Sequence, residues 1–321
     1  MPDIAVIINP NARRSSPGLR ARVMRSLGAE HDAVSLVTRG KGDGEQLARE
    51  ALDAGCEIFI VLGGDGTVNE VAGVIEDTDA ALCPIPLGGT NVFARAIGWP
   101  ATPEAAISLL RGVIGDRDAL TRQIRLWAVT ADGTRRRLCL NAGVGIDGEA
   151  VAEVERRPKA KRTLGQGAFA VAAARAVERT ARRGSVLRVS SDGAEPVHAA
   201  SISVAIGGPY AYFGALPLDL IPGADFDGRL HWLALSRARR RDIARVAAGA
   251  FASGRHARDA AVVRGVAQTS LTITTDEAVA VQADGEPVGA HREIRFAPAG
   301  MLRVLSPRAA DDAQESLLGA R

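Results

Sequence analysis

Aromatic side chains make up only 4% of this chain of 321 residues, and no basic run is interleaved with them. That removes a stacking platform for single-stranded nucleic acid, which alternates rings with cations. Cysteine is equally sparse: Cys56, Cys83 and Cys139 are odd in number, far apart, and set beside or inside apolar strand-like runs. Such a pattern fits buried reduced thiols and a reducing compartment rather than a disulfide frame. The five histidines show no zinc-ligand spacing, and no Gly-x-Ser-x-Gly offers a hydrolase nucleophile. No uncharged apolar run is long enough to cross a bilayer, and the opening MPDIAVIINP reads as a strand, without the order of a signal peptide. With 40 basic against 37 acidic residues the net charge is only +3, so no global attraction to a polyanion is built in. A cytoplasmic chain is the expectation. Its 46% apolar and 24% charged composition over this length suffices for two domains with proper cores.

The stretch Glu57 to Glu76, EIFIVLGGDGTVNEVAGVIE, organises the rest. Ile58 to Leu62 is a continuous apolar run that reads as a buried parallel strand, and Val68, Val71, Ala72 and Ile75 recur at helical spacing. Between them Gly63, Gly64 and Gly66 lack the Cβ atoms that would keep a phosphate away from the N–H groups of a helix N-terminus. Asp65 within the turn would repel a phosphate unless a cation lay between, so a Mg²⁺-nucleotide suits the loop better than a bare anion. A plain tight turn with a helix N-cap is the other reading. Two familiar fingerprints fail: no lysine stands where a P-loop needs one, and position 69 is Asn where a dinucleotide motif needs its last glycine.

Strands and helices alternate through the first part of the chain. Ile4 to Ile8 ends at Asn9-Pro10, a helix starts near Pro17, a strand runs from Ala33 to Val37 and closes on Thr38, and RGKGDG leads into a helix near Gln46 to Ala54. Ala81 to Pro86 repeats the design, entering LGGTN and a short helix that stops at Gly98. Pro103 to Val113 is a further helix, with Thr102 as N-cap. Strict alternation implies right-handed βαβ units, a parallel sheet and ligands at the carboxyl ends of its strands. From about Ile124 short β-like runs bounded by Asp-Gly and Gly-Gly turns take over, the texture of an antiparallel sandwich or barrel. The expected division is 1–122 for the α/β domain, 123–306 for the β domain, with a return of its last strand to the first domain as the alternative, and 307–321 for a polar tail.

Two helical stretches interrupt the β domain. Ala160 to Arg183 carries Lys159, Lys161, Arg162, Arg175, Arg179, Arg182 and Arg183 around it, and Arg237 to Phe251 begins RARRRDIAR. Both read either as ordinary solvated helices or as basic faces for anionic lipid. Gly143, Gly145 and Gly148 spell G-x-G-x-x-G, but without a following helix–strand unit the motif reads as a bend, with Asn141 and Asp147 facing an interdomain cleft. Asp284-Gly285-Glu286 reads as a hairpin turn, and Asp225-Phe226-Asp227-Gly228 as a polar turn or a cation loop.

Taken in order, Asn9-Pro10, Thr38 with its glycine loop, GGDGTVNEV, PLGGTNVFARAIG, NAGVGID, PGADFDGRL and the DGE triplet resemble the diacylglycerol kinase catalytic-domain family, from Ile4 to about Leu305. The resemblance implies an N-terminal doubly wound α/β domain of the NAD kinase and diacylglycerol kinase type, a C-terminal antiparallel β-sandwich, and ATP with Mg²⁺ in the cleft between them. By position it assigns ATP to Asn9, Thr38, Gly63, Gly64, Asp65, Gly66, Thr67, Asn69, Glu70, Gly88, Gly89, Thr90, Asn91 and Asp284. Asp65 would lie near the Mg²⁺, and Glu286 would take the proton from a lipid hydroxyl. A structural Mg²⁺ would sit on Asp227 and the main-chain carbonyls of Ala224 and Arg229. The chain departs from the family at Gly89 (Gly-Gly-Thr-Asn for Gly-Thr-x-Asn), at Val92 for an Asp, at Arg125 in the crossover, and at Arg13 and Arg14 where the first loop usually has a glycine.

The implied activity is phosphorylation of a diacylglycerol-like or sphingoid lipid at a membrane surface by a peripheral protein, either a monomer or, as family members often are, a homodimer. A kinase of a soluble acceptor, nearer the NAD kinases, and a nucleotide- or lipid-binding member without turnover are the other two readings. Nucleic acid is not an expected partner.

Overall fold

The computed structural model describes residues 2–28, 31–157, 166–237, 239–252 and 254–307. Its chain forms two compact units, one of Met1–Ile124 with Gly300–Arg321 and the other of Arg125–Ala299.

In the first unit the elements are β1 (Ile4–Ile8), α1 (Pro17–Leu27), β2 (Ala33–Val37), α2 (Asp43–Asp53), β3 (Ile58–Gly63), α3 (Asp65–Ile75), β4 (Ala81–Pro86), α4 (Val92–Ala96), α5 (Pro103–Gly115) and α6 (Arg117–Leu120). The sheet is parallel, with β1 between β2 and β3 and β4 beyond β3; Ile4 pairs with both Ala33 and Ile58, and Ile58 with Ala81. Every side chain of β1, β3 and β4 is buried, which is why these strands read as unbroken apolar runs. Helices α1 and α5 pack together, as do α2 and α3. Both α1 and α5 start as capping rules predict: Ser16 and Thr102 accept from Leu19 N and Ala105 N, with Pro17 and Pro103 in the first turn. Helix α2 begins at Asp43, earlier than its apolar spacing indicates, because the glycine loop itself forms its first turn.

The second unit follows with β5 (Thr121–Ala131, its first residues in the first unit), β6 (Thr134–Leu138), β7 (Asn141–Val144), α7 (Ile146–Glu155), α8 (Gln166–Arg183), β8 (Leu187–Ser191), β9 (Val197–Ala199), β10 (Ser201–Ala205), β11 (Ala211–Phe213), β12 (Leu216–Leu218), β13 (Leu230–Leu235), α9 (Arg240–Ala252), β14 (Val262–Ala267), β15 (Leu271–Ala283) and β16 (Glu286–Leu305). Its strands run antiparallel in the order β14-β13-β10-β7-β15-β16, with β8 also on β15 and β9 on β8; β11 and β12 form a separate ribbon. The α/β plus antiparallel-β expectation therefore holds. β16 ends in the first unit, where Arg303 and Val304 run parallel to Ala81 and Leu82 of β4.

Three sequence expectations for this unit change. Gly143 and Gly145 lead into a helix, α7, that contains Gly148, and the glycines let it lie close on the sheet: a Cβ at Gly148 would strike the Ala280 carbonyl, and one at Gly143 the Asp147 side chain. This helix escapes periodicity analysis because Glu149 and Glu153 sit on its buried face beside Ala150 and Val154. Helix α8 starts at Gln166 among the described residues; Lys159, Lys161 and Arg162 lie outside them. Its arginines do not all face solvent, since Arg175 donates to Glu153 at 2.6 Å and Arg179 and Arg183 to Glu149 at 2.6 and 2.8 Å. The runs TSLTITT and AVAVQA fuse into β15, whose pairing with β16 shifts register between Thr274 and Val279.

The cysteines are free and buried, with Cys56 and Cys83 thiols pushed up by loss of water. Among the described residues no helix is long and apolar enough to cross a membrane.

Candidate functional site

Gly64 leaves β3 in an extended conformation and caps α3, whose first turn is Asp65, Gly66 and Thr67. The leading N–H groups of such a helix have no intrahelical acceptors and carry the positive end of its dipole. Gly64 and Gly88 touch backbone to backbone, so the two glycine turns form one surface: a Cβ on Gly88 would fall 2.8 Å from Gly64 Cα. Asn91, in the left-handed region at φ 48°, closes the second turn by accepting from Gly88 N at 2.7 Å and donating to Gly88 O at 3.1 Å. Gly89 is exposed, with nothing near its missing Cβ.

The acidic residues of this surface are turned to the backbone. Asp65 accepts from Val92 N at 3.1 Å, Phe93 N at 3.0 Å and Thr90 Oγ at 3.4 Å, which makes it the cap of α4. Burial pushes its carboxyl up, against the pull of the N–H groups of Phe93 and Val92. The charge that sequence alone matches to a Mg²⁺ is therefore met by the start of another helix. Glu70 likewise accepts from Gly42 N at 2.9 Å and Gly44 N at 3.0 Å, fastening the loop after Thr38. Thr38 is buried and donates its N–H to Ile8 O, Asn9 Nδ2 donates to Thr67 Oγ at 3.1 Å, and Asn69 is half-buried on α3. Residues from four separate loops thus gather at the carboxyl ends of β1, β2, β3 and β4.

In the second unit, Asp284 and Glu286 have divergent roles. Asp284 accepts from Cys139 N at 2.7 Å, Leu140 N at 2.9 Å and Asn141 N at 3.0 Å, and so folds the link from β6 to β7 around its carboxylate. A direct ATP contact from those oxygens, as the resemblance implies, would compete with three backbone donors. Gln282 tightens the same turn by accepting from Gly285 N at 2.8 Å. Glu286 opens β16 half-exposed, and Arg136 of β6 donates to it at 2.8 Å. Arg136 carries no motif; only the Arg-Arg-Arg run on β6 marks it in the sequence.

Beneath the turn, Asp147 accepts from Tyr210 OH at 2.5 Å and Gln282 Nε2 at 2.6 Å, while Asn141 Nδ2 donates to Tyr210 O at 2.8 Å. Asn141 and Asp147 are therefore joined through Gln282 and Tyr210 in one hydrogen-bonded network within the second unit. Burial pushes the Asp147 carboxyl and the Tyr210 hydroxyl upward.

In the loop that the resemblance assigns to a structural cation, the carboxylate is already paired. Asp227 is gripped by Arg229, whose Nε donates at 2.7 Å with Nη2 beside it, and His231 Nε2 lies 3.0 Å away. Burial alone would push this carboxyl up, but the hydrogen bonds from Arg229 and His231 bring it below its ordinary range. Ala224 is buried in the cluster of Tyr210 and Ile221. The side chain of Arg229 supplies the positive charge that meets this carboxylate, and among the described residues no group of three acidic, histidine or cysteine side chains could hold a metal ion.

A parallel α/β unit with glycine turns at the carboxyl ends of its strands, followed by an antiparallel β unit, defines a class of two-unit α/β-plus-β proteins. The match to known sequences narrows the class: residues 3–121 match the model of the diacylglycerol kinase catalytic domain, and residues 141–306 that of the YegS C-terminal NAD kinase beta sandwich-like domain. The chain belongs to the diacylglycerol kinase catalytic-domain family, on its YegS branch. Curated relatives include a protein of Pseudomonas aeruginosa (strain UCBPP-PA14), 32% identical over 52% of this chain and 52% of its own length, and one of Pseudomonas fluorescens, 39% identical over 33% and 36%. Both are named "Probable lipid kinase YegS-like". The aligned regions thus span about half or less of those relatives. A crystal structure of a diacylglycerol kinase from Bacillus anthracis str. Sterne superposes with a TM-score of 0.67 over 96% of this chain and 97% of the other, at 19% identity, a likeness of fold.

Proposed function

We propose that the chain is a lipid kinase that transfers the γ-phosphate of Mg²⁺-ATP to a hydroxyl of a diacylglycerol-like or sphingoid lipid. One observation carries this reading: the acids of the glycine turns are spent on backbone N–H groups, whereas Glu286 remains a half-exposed carboxylate on a turn fixed by Asp284 and Gln282. Phosphoryl transfer needs donor phosphates held in place and an acceptor for the alcohol proton. The α3 N-terminus, with Gly63, Gly64, Gly66, Thr67 and the turn at Gly88 to Asn91, suits the first task; Thr38, Asn9, Asn69 and Glu70 shape that surface. Glu286 suits the second, as general base. Mg²⁺ enters with the nucleotide as part of the substrate and neutralises its phosphate charge.

The ion pair from Arg136 to Glu286 favours one competing reading, a member that binds nucleotide or lipid without turnover, because a carboxylate engaged by a guanidinium is a weaker proton acceptor. The test is transfer of labelled γ-phosphate to diacylglycerol, sphingosine, ceramide and monoacylglycerol in mixed micelles, with NAD as a soluble acceptor. Labelling of one lipid class supports the proposal. Labelling of NAD alone contradicts it, and ATP binding with no labelled product favours the binding member.

A further inference from the structure

The ribbon of β11 and β12 stands apart from the main strands of the second unit, and its two ends differ sharply in character. At the root, Tyr210 lies in a buried cluster with Ala205, Ile221, Ala224 and Leu233, and Ala211, Leu218 and Leu220 pack against it. At the tip, Phe213 and Leu216 face each other across Gly214-Ala215 and are 37% and 51% exposed. Few large apolar side chains among the described residues are this open, and two of them share one turn.

The ribbon is held at both ends. At the tip Phe213 meets Phe251 of α9 edge to face with ring centroids 5.2 Å apart; at the root Asp219 N donates to Ala250 O and His256 Nε2 lies 3.0 Å from Leu220 O. From Tyr210 to Leu218 there is no charged residue. Next to the anchoring helix, the short 3₁₀ turn Arg255–Arg258 exposes Arg255 and Arg258, and the acid nearest the ribbon in sequence is Asp219. An uncharged aromatic-aliphatic tip, with exposed guanidinium groups on the turn that packs at the ribbon's root, is the chemistry of a surface that inserts below lipid headgroups and pairs with their phosphates.

We propose that the β11–β12 tip, through Phe213 and Leu216, wedges into an anionic lipid bilayer, with Arg255 and Arg258 on the headgroups. This inference deepens the lipid-kinase reading and rests on it, because it names how the protein reaches an acceptor embedded in a membrane.

The test is partition onto phosphatidylcholine vesicles with and without phosphatidylglycerol, without ATP or acceptor present. Wild-type protein is expected to bind the anionic vesicles, Phe213→Ser/Leu216→Ser to bind at least about tenfold more weakly, and Arg255→Gln/Arg258→Gln to lose only the preference for phosphatidylglycerol. Leu216→Trp reads insertion without removing apolar surface. Its fluorescence should shift to the blue on vesicles and be quenched by brominated acyl chains, against a background of Trp99, Trp127 and Trp232, which are buried. Unchanged partition of the serine variant, or vesicle-bound Leu216→Trp protein whose added indole is not quenched, overturns the proposal. So does a serine variant whose changed property is oligomeric state alone. Phosphoryl transfer in detergent micelles, where no bilayer need be entered, is measured separately: if it is absent while vesicle binding behaves as expected, the kinase reading fails and the docking surface stands.

Discussion

The two turns that carry this chain's acidic motifs use their carboxylates in contrasting ways. In the first unit Asp65 and Glu70 both point at backbone N–H groups, one capping α4 and the other holding the entry to α2. In the second, Asp284 is spent in the same manner, but Glu286 two residues later is left half-exposed with a guanidinium as its partner. The glycine turn is thus a scaffold that presents N–H groups, and the hairpin carries the carboxylate proposed as the base. A carboxylate's role depends on which donors reach it, and for Asp65 they come from residues 27 and 28 positions further along the chain.

The largest effect should fall on turnover. Replacing the proposed base in Glu286→Gln lowers kcat by about 10²- to 10⁴-fold in the micelle assay, the usual worth of a general base. Next comes the contact between the glycine turns. In Gly88→Ala the added Cβ lies 2.7 Å from Asn91 Oδ1 and 2.8 Å from Gly64 Cα, so chemical denaturation should show a loss of about 1–3 kcal/mol, and ATP affinity should fall with it. Gly89→Ala, with open space at its Cβ, should stay within about 0.5 kcal/mol of wild type. Equal effects at the two glycines would break the picture of a rigid double turn.

The network under the hairpin gives a pH signature. Because burial raises the Asp147 carboxyl, the folded protein favours its proton. That contribution is full below the ordinary carboxylate range and is lost as pH rises through the folded-state value. Only Oδ2 accepts from Tyr210 and Gln282, so an amide can keep both bonds. Asp147→Asn should therefore flatten the decline in melting temperature over that rise and match or exceed wild type above it; a steeper decline would contradict the sign. The smallest effect belongs to Arg136→Gln: a half-exposed ion pair is worth about 0–1 kcal/mol, so stability changes by no more than that. A gain in kcat would show that Arg136 restrains Glu286, and a loss that it positions it.

Much of the first unit was legible because its strands are buried on both faces and its helices begin at Ser16-Pro17 and Thr102-Pro103. The glycine turns were legible as turns at the carboxyl ends of strands for the same local reason. What escaped reading was non-local. Helix α7 was hidden because Glu149 and Glu153 occupy its inner face, where arginines of α8 offset them. At Asp227 a polar turn or a cation loop was legible, but not the Arg229 side chain folded back on the carboxylate. Arg136 lacked any signal, since its partner lies 150 residues away.

The division of labour is tested most directly by titrating ATP into Glu286→Gln and Gly88→Ala beside wild type by calorimetry. Wild-type affinity is expected for Glu286→Gln and weakened binding for Gly88→Ala. Lost ATP binding in Glu286→Gln with intact binding in Gly88→Ala would contradict it.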